Sequence, residues 1–280
     1  MRIELFMFKN SLPLHSDKKY NPVGKCIYCG SKENLSDEHI IPLGLGGRWI
    51  LPDSSCAECA AITAKFEGVC LRTMFGPLRL YYDLPSRRRK SRPKTLPLKI
   101  KKAPNLDWEN LEVDQNIYPF LVLFPYYSIP DELSGFTTIG RRDSAAKHFW
   151  IRGASFSHGF NVHMGQLTQE LGVAGIQPTA DFSTSEFCLM LAKIAHSYSI
   201  AEMGTDSFSP FLTSIILNTD TSNRAQYIGG LRSSEPSSAN LHEISFNSHD
   251  SSRPNIVVVR VRLLATLETP TYFIAVGRRR

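Results

Sequence analysis

The chain has 280 residues, 42% of them apolar, a composition that builds a packed core and excludes a disordered or fibrous protein. Its longest apolar runs, Phe120 to Phe124 and Ile256 to Val259, fall far short of the roughly 20 residues a membrane helix needs, so no transmembrane segment is expected. The net charge of +6 is unevenly placed: residues 1–69 carry eight basic and eight acidic groups, residues 70–102 eleven and one, and residues 103–280 thirteen and seventeen. At the start, Met1 to Lys9 is an apolar stretch broken by Glu4 with no small-residue cleavage site, so a secretory signal is not expected and the cytoplasm is the default compartment.

Two cysteine pairs follow, Cys26-Ile-Tyr-Cys29 and Cys56-Ala-Glu-Cys59, with 26 residues between them. Without an export signal, such CxxC pairs read as metal ligands before disulfides. Two knuckles can place four thiolates about 2.3 Å from one zinc ion and close a structural site. Cys70 and Cys188 have no paired partner in sequence and read as buried, inert thiols. Between the knuckles, Asp37-Glu38-His39-Ile-Ile ends at Pro42, and Gly44, Gly46 and Gly47 make a loop before the apolar run Trp49 to Leu51. That pattern predicts a strand, a glycine loop and a second strand. After Cys59, good helix formers from Ala60 to Glu67 closed by Gly68 predict a short helix.

This order of knuckle, strand, strand, knuckle and helix resembles the HNH endonuclease family, whose ββα-metal fold is often stapled by a four-cysteine zinc. The resemblance covers roughly residues 20–70 and rests on the four cysteines, Glu38-His39-Ile-Ile-Pro42 and Gly46-Gly47. It implies that Glu38 binds a single catalytic divalent ion, Mg²⁺ or Mn²⁺, and that His39 is the general base. It further implies double-stranded DNA as substrate, with a 5′-phosphate and a 3′-hydroxyl as products. Asp53 stands where the family has an asparagine, and Ala60 stands where a second metal ligand is usual; Thr63 and Glu67, one and two turns on, are the substitutes within reach. The chemistry is consistent: a neutral imidazole takes the proton of an attacking water, a carboxylate-bound hard cation stabilises phosphoryl charge, and Asp53 would orient the imidazole. Arg48, just after the glycine loop, is a candidate phosphate contact.

Residues 76–105 hold five prolines among the basic groups, which predicts an extended arm able to track a phosphate backbone through Arg87, Arg88, Arg89, Lys90 and Arg92. Beyond Asn105, strands are expected at Tyr118 to Phe124, Phe136 to Ile139 and His148 to Ile151. Ser183-Thr-Ser-Glu186 is a capping box, and Phe187, Met190, Leu191, Ile194, Tyr198 and Ala201 form one apolar stripe up to Gly204, which predicts a helix. Ile256 to Leu267 and Thr271 to Val276 predict a C-terminal β-hairpin, with Arg278 to Arg280 as a disordered or DNA-touching tail. No phosphate-cradling GxxxxGK[ST] loop and no GxGxxG fingerprint occurs, so the sequence gives no support to ATP or dinucleotide chemistry.

The expected fold class is therefore α+β: an N-terminal ββα-metal zinc module over 1–75 with its core at 20–70, a basic Pro-rich linker or arm over 76–105, and a mixed α+β domain over 106–280. That last part is expected to read DNA, to hold a homodimer together, or to meet a regulatory protein partner. The function expected is metal-dependent DNA cleavage, by analogy in defence against foreign DNA. Asp53 and Ala60 motivate the alternative, a catalytically impaired zinc-dependent nucleic-acid-binding or regulatory module.

Overall fold

The computed structural model describes residues 12–13, 16–87, 89–134, 148–153, 160–217, 224–247 and 254–280. Met1 to Lys9, Arg88 and the strand expected at Phe136 to Ile139 lie outside the described residues.

The first sheet has three strands, β1 (Lys18–Lys19), β2 (Leu35–His39) and β3 (Trp49–Cys56), in the order β1-β3-β2. β2 and β3 run antiparallel with Glu38 opposite Leu51 and His39 opposite Ile50, and a bulge falls between Ser36 and Glu38. The connecting loop depends on two glycines. Gly46 adopts φ +85°, in the left-handed region, and a Cβ on Gly47 would lie 2.1 Å from the Ile41 carbonyl oxygen. β3 passes directly into helix α1 (Ala57–Arg72), whose buried Cys59, Thr63, Phe66 and Cys70 recur at helical spacing. This helix starts a turn before the expected Ala60 and runs through Gly68, because burying Phe66 and Cys70 on one stripe outweighs the roughly 1 kcal/mol that a glycine costs inside a helix.

After α1 come α2 (Gly76–Tyr81) and then β4 (Thr95–Lys101), β5 (Glu109–Asp114), β6 (Leu121–Tyr126), α3 (Asp131–Ser134), β7 (His148–Gly153), α4 (Phe160–Glu170) and β8 (Gly175–Gln177). The basic stretch is thus not a free extended arm throughout: β4 is the centre of the sheet β5-β4-β8. Leu98 and Ile100 alternate with Lys99 along it, so one face is buried and the lysine is exposed. β6 and β7 pair at the positions where strands were expected.

Helix α5 (Thr184–Met203) is buried on every side from Phe187 to Ile200 and ends at Gly204, φ +83°. Its capping box closes differently from expectation. The Ser183 hydroxyl donates to the Glu186 carboxylate, so the two side chains satisfy each other and neither caps a backbone amide. The remaining elements are β9 (Phe208–Pro210), α6 (Thr213–Ile216), α7 (Arg224–Tyr227), β10 (Ile228–Ser234), β11 (Glu243–Phe246), β12 (Ile256–Arg262) and β13 (Pro270–Arg279). The C-terminal hairpin forms as β12 and β13 within a sheet of order β10-β13-β12-β11, with β9 also on β13. Arg278 and Arg279 extend β13 against β9, and the Arg280 amide donates to the Ser207 carbonyl, so the C-terminal arginines are part of the sheet edge and not a free tail. α5 packs against α1, β12 and β13, and one continuous apolar cluster runs from Cys26 to Val276. The chain is a mixed α+β protein, and no described helix is long and apolar enough to cross a membrane.

Candidate active site

The two cysteine knuckles are assembled by backbone hydrogen bonds. Gly30 donates to the Cys26 carbonyl at 2.9 Å, Cys26 donates to Ser31 at 2.7 Å, and Ile27 donates to Ser54 on β3 at 2.8 Å. Cys56 closes β3 and Cys59 lies in the first turn of α1, so strand and helix each bring one thiol to the pair on the first knuckle. The four Sγ atoms lie within 4.8 Å of one another, and Cys29 and Cys56 are 3.6 Å apart. A tetrahedral zinc thiolate site with bonds of about 2.3 Å has edges of about 3.8 Å, so the donor set fits zinc in both chemistry and spacing. All four are free thiols. Burial pushes the Cys26 thiol up, but backbone amides of Cys56, Cys29 and Tyr28 outweigh it and lower its pKa to about 7.

Against this staple lies a cavity of about 360 Å³. β2 contributes Ser36, Glu38 and His39; the glycine loop contributes Pro42, Leu43 and Gly44. From α1 come Ala60, Thr63, Ala64 and Glu67, spaced three and four apart and so on one helix face. Arg87 closes the rim, and Arg79 braces the floor by donating to the carbonyls of Gly44 at 2.7 Å and Leu71 at 2.9 Å. His39 is half-buried, and its pKa is lowered by burial first, then by the positive charges of Lys193 and Arg87. The imidazole is therefore neutral and able to accept a proton at neutral pH.

Beneath the cavity, α5 supplies a residue that the sequence did not announce. The fully buried Lys193 ammonium lies 2.5 Å from Glu38 Oε1 and 2.8 Å from Glu67 Oε1, and donates to the His39 carbonyl. The ammonium thus forms ion pairs with both carboxylates and a hydrogen bond to the backbone. Burial works against this ammonium, but Glu38 and Glu67 outweigh it and hold its pKa above the ordinary lysine value. Glu67 is pushed above the usual carboxylate range by burial, with Lys193 pulling the other way. The Tyr28 hydroxyl donates to Glu38 Oε2 at 3.3 Å. One sign was present in the sequence: Lys193 is the lone cation of a helix whose other side chains from Phe187 to Ile200 carry no charge, and a buried charge requires a partner.

The residues expected to do chemistry are thus partly gathered. Glu38 and His39 share the cavity with Thr63 and Glu67, the two substitutes for Ala60, and Ala60 itself faces it. Asp53 is exposed with φ +46°, does not line the cavity, and its amide donates to Asp37 Oδ1 at 3.4 Å. Arg48 pairs with Asp17 at 3.1 Å and is likewise outside the lining. Arg89 and Arg92 both bind Asp83, while Lys90 is exposed. A divalent ion at Glu38 would sit about 2.1 Å from its oxygen. With an ammonium already bridging Glu38 Oε1 and Glu67 Oε1, such an ion does not fit this arrangement.

Residues 26–66 match the family model described as HNH endonuclease, and this segment contains the four cysteines, Glu38 and His39. No curated protein and no solved structure matches the chain.

Proposed function

We propose that the chain is a zinc-stapled HNH-type endonuclease that hydrolyses DNA phosphodiester bonds with His39 as general base. The observation that supports this most is a neutral, half-buried His39 facing a cavity beside Arg87 within the segment that matches the family model. In this reading a backbone phosphate enters the cavity with its oxygens toward Arg87, as a cation at the mouth of a partly desolvated pocket favours. His39 takes a proton from a water as the water oxygen bonds to phosphorus. The bond to the 3′ oxygen breaks, that oxygen takes a proton from solvent, and His39 returns its own to solvent. The products are a 5′-phosphate and a 3′-hydroxyl. Glu38 and Glu67, held by Lys193, keep the β2 edge and thus the imidazole in place. Cleavage of foreign DNA in the cytoplasm is the cellular setting we assign to it, by analogy alone.

The test is nicking of supercoiled plasmid by zinc-loaded protein, in metal-depleted buffer and with added Mg²⁺ or Mn²⁺. His39→Ala should lower the rate by about 10² to 10⁴. Undiminished cutting by that variant would remove His39 from the mechanism. Ala60 on the cavity wall favours a second reading, a binding or regulatory module without catalysis. It predicts salt-dependent DNA binding that survives His39→Ala, with no cutting by the wild type in any buffer.

A further inference from the structure

We propose that Lys193 is the resident cation of this site, its ammonium taking the place beside Glu38 that a divalent ion would otherwise hold. The inference rests on reading the cavity as the nuclease site, and it concerns how that site manages charge. Three observations carry it. The ammonium bridges the same carboxylates, Glu38 and Glu67, that line the cavity and present the hard oxygen donors a Mg²⁺ ion would use. It is not a side chain that can swing aside: Lys193 has no exposed surface, and α5 is buried on every side between α1 and the C-terminal sheet. Finally, the two carboxylates of the site are paired with Lys193, and the cavity they line also carries the cations Arg79 and Arg87. A site so balanced attracts an anion, and adding two more positive charges a few ångströms from Lys193 is opposed by repulsion that low-dielectric surroundings strengthen.

Lys193 does not line the cavity, so it is a positioning residue and not a catalytic one. It fixes His39 through the backbone carbonyl and through the neighbouring Glu38. It also supplies, from below, a permanent positive charge toward the cavity where a phosphate would sit. The site thereby takes its phosphate with no divalent ion, and dependence on Mg²⁺ or Mn²⁺ is replaced by dependence on one residue from the far end of the chain.

Mn²⁺ binding to the full zinc-loaded protein, followed by electron paramagnetic resonance, tests this without reference to cutting. The wild type should hold no Mn²⁺ at Glu38, so Glu38→Gln should leave the weak wild-type titration unchanged. Lys193→Gln, which keeps a donor and removes the charge, should bind one Mn²⁺ at least about tenfold more tightly than the wild type. That gain should vanish in the Lys193→Gln/Glu38→Gln double variant. A stoichiometric Mn²⁺ site in the wild type that Glu38→Gln abolishes would overturn the proposal, as would a folded Lys193→Gln protein that gains no site. If Lys193→Gln fails to fold, the wild-type and Glu38→Gln titrations decide alone. Cutting is scored separately: a wild type that holds Mn²⁺ at Glu38 and cuts DNA refutes the role of Lys193 and leaves the nuclease intact, whereas a wild type that holds no Mn²⁺ and never cuts does the reverse.

Discussion

Two histidines sit in different surroundings although burial lowers the pKa of both. His39 is half-buried at a cavity wall and remains within reach of water, so its lowered pKa keeps it a base at neutral pH. The proposed reaction needs the neutral imidazole. Its rate should therefore be flat near neutrality and fall only as pH drops through a value below the ordinary histidine pKa of about 6.5. A rate that already falls above that value would place the titrating group elsewhere. His196 is fully buried, with Nε2 2.8 Å from the Ile27 carbonyl, and its pKa is lowered to about 4 by burial. Between about pH 6.5 and 4 the unfolded chain binds this proton and the folded chain does not. Stability is thus full above the unfolded pKa and decreases as pH falls toward 4, by about 3 kcal/mol from this residue. His196→Gln, which can still donate to Ile27, should flatten that slope in urea titrations at pH 7 and pH 4.5. His39, Glu38 and the four cysteines were legible from local spacing because each motif is contiguous or nearly so. Lys193 was not, since it meets His39 across 154 residues and only the fold brings them together.

At the level of elements, the β2 loop and β3 are held by backbone fit as much as by side chains. Gly47 lies so close to Ile41 that Gly47→Ala must push the loop away from β2, and a loss of about 1 to 3 kcal/mol is expected in denaturant melts. The same change should weaken any cutting, because the loop lines the cavity through Pro42, Leu43 and Gly44. The glycine cluster announced a loop; the atom each glycine must clear was not readable from order alone. Elsewhere, period decided what could be foreseen. The apolar stripe of α5 and the hairpin of β12 and β13 stand at their expected places because 3.6 and 2.0 periods mark them. β4 was obscured because prolines and lysines dominate its composition, while its strand character rests on only two buried residues, Leu98 and Ile100. In the zinc staple, Cys56→Ser should lose the metal by elemental analysis, from one zinc per chain to none, and unfold the β2, β3 and α1 unit.

Over the whole molecule, the N-terminal unit and the later sheets share one apolar cluster, and polar links cross between them. Tyr28 meets Ser197, His196 meets Ile27, and His242 Nε2 meets the Leu45 carbonyl. Loss of zinc should therefore be felt by α5, and calorimetry should give one cooperative transition where separable domains would give two. Charge is also arranged at this scale. The basic excess of residues 70–102 is partly spent within the chain, since Asp83 binds Arg89 and Arg92, and Lys102 pairs with Glu109. Arg87 lines the cavity and is exposed, and Lys90 is exposed three residues on, so changing either to alanine should weaken DNA binding and reduce the salt slope by about 1. Asp83→Asn should act in the opposite direction by releasing Arg89 and Arg92, and filter-binding titrations across salt concentrations would separate the two effects.

Chemical rescue of a His39→Ala variant tests the central claim most directly. Zinc-loaded wild-type protein should cut a duplex oligonucleotide, His39→Ala should not, and added imidazole should restore cutting in proportion to the neutral imidazole present. Cutting by His39→Ala at the wild-type rate, with no response to imidazole, would contradict the account.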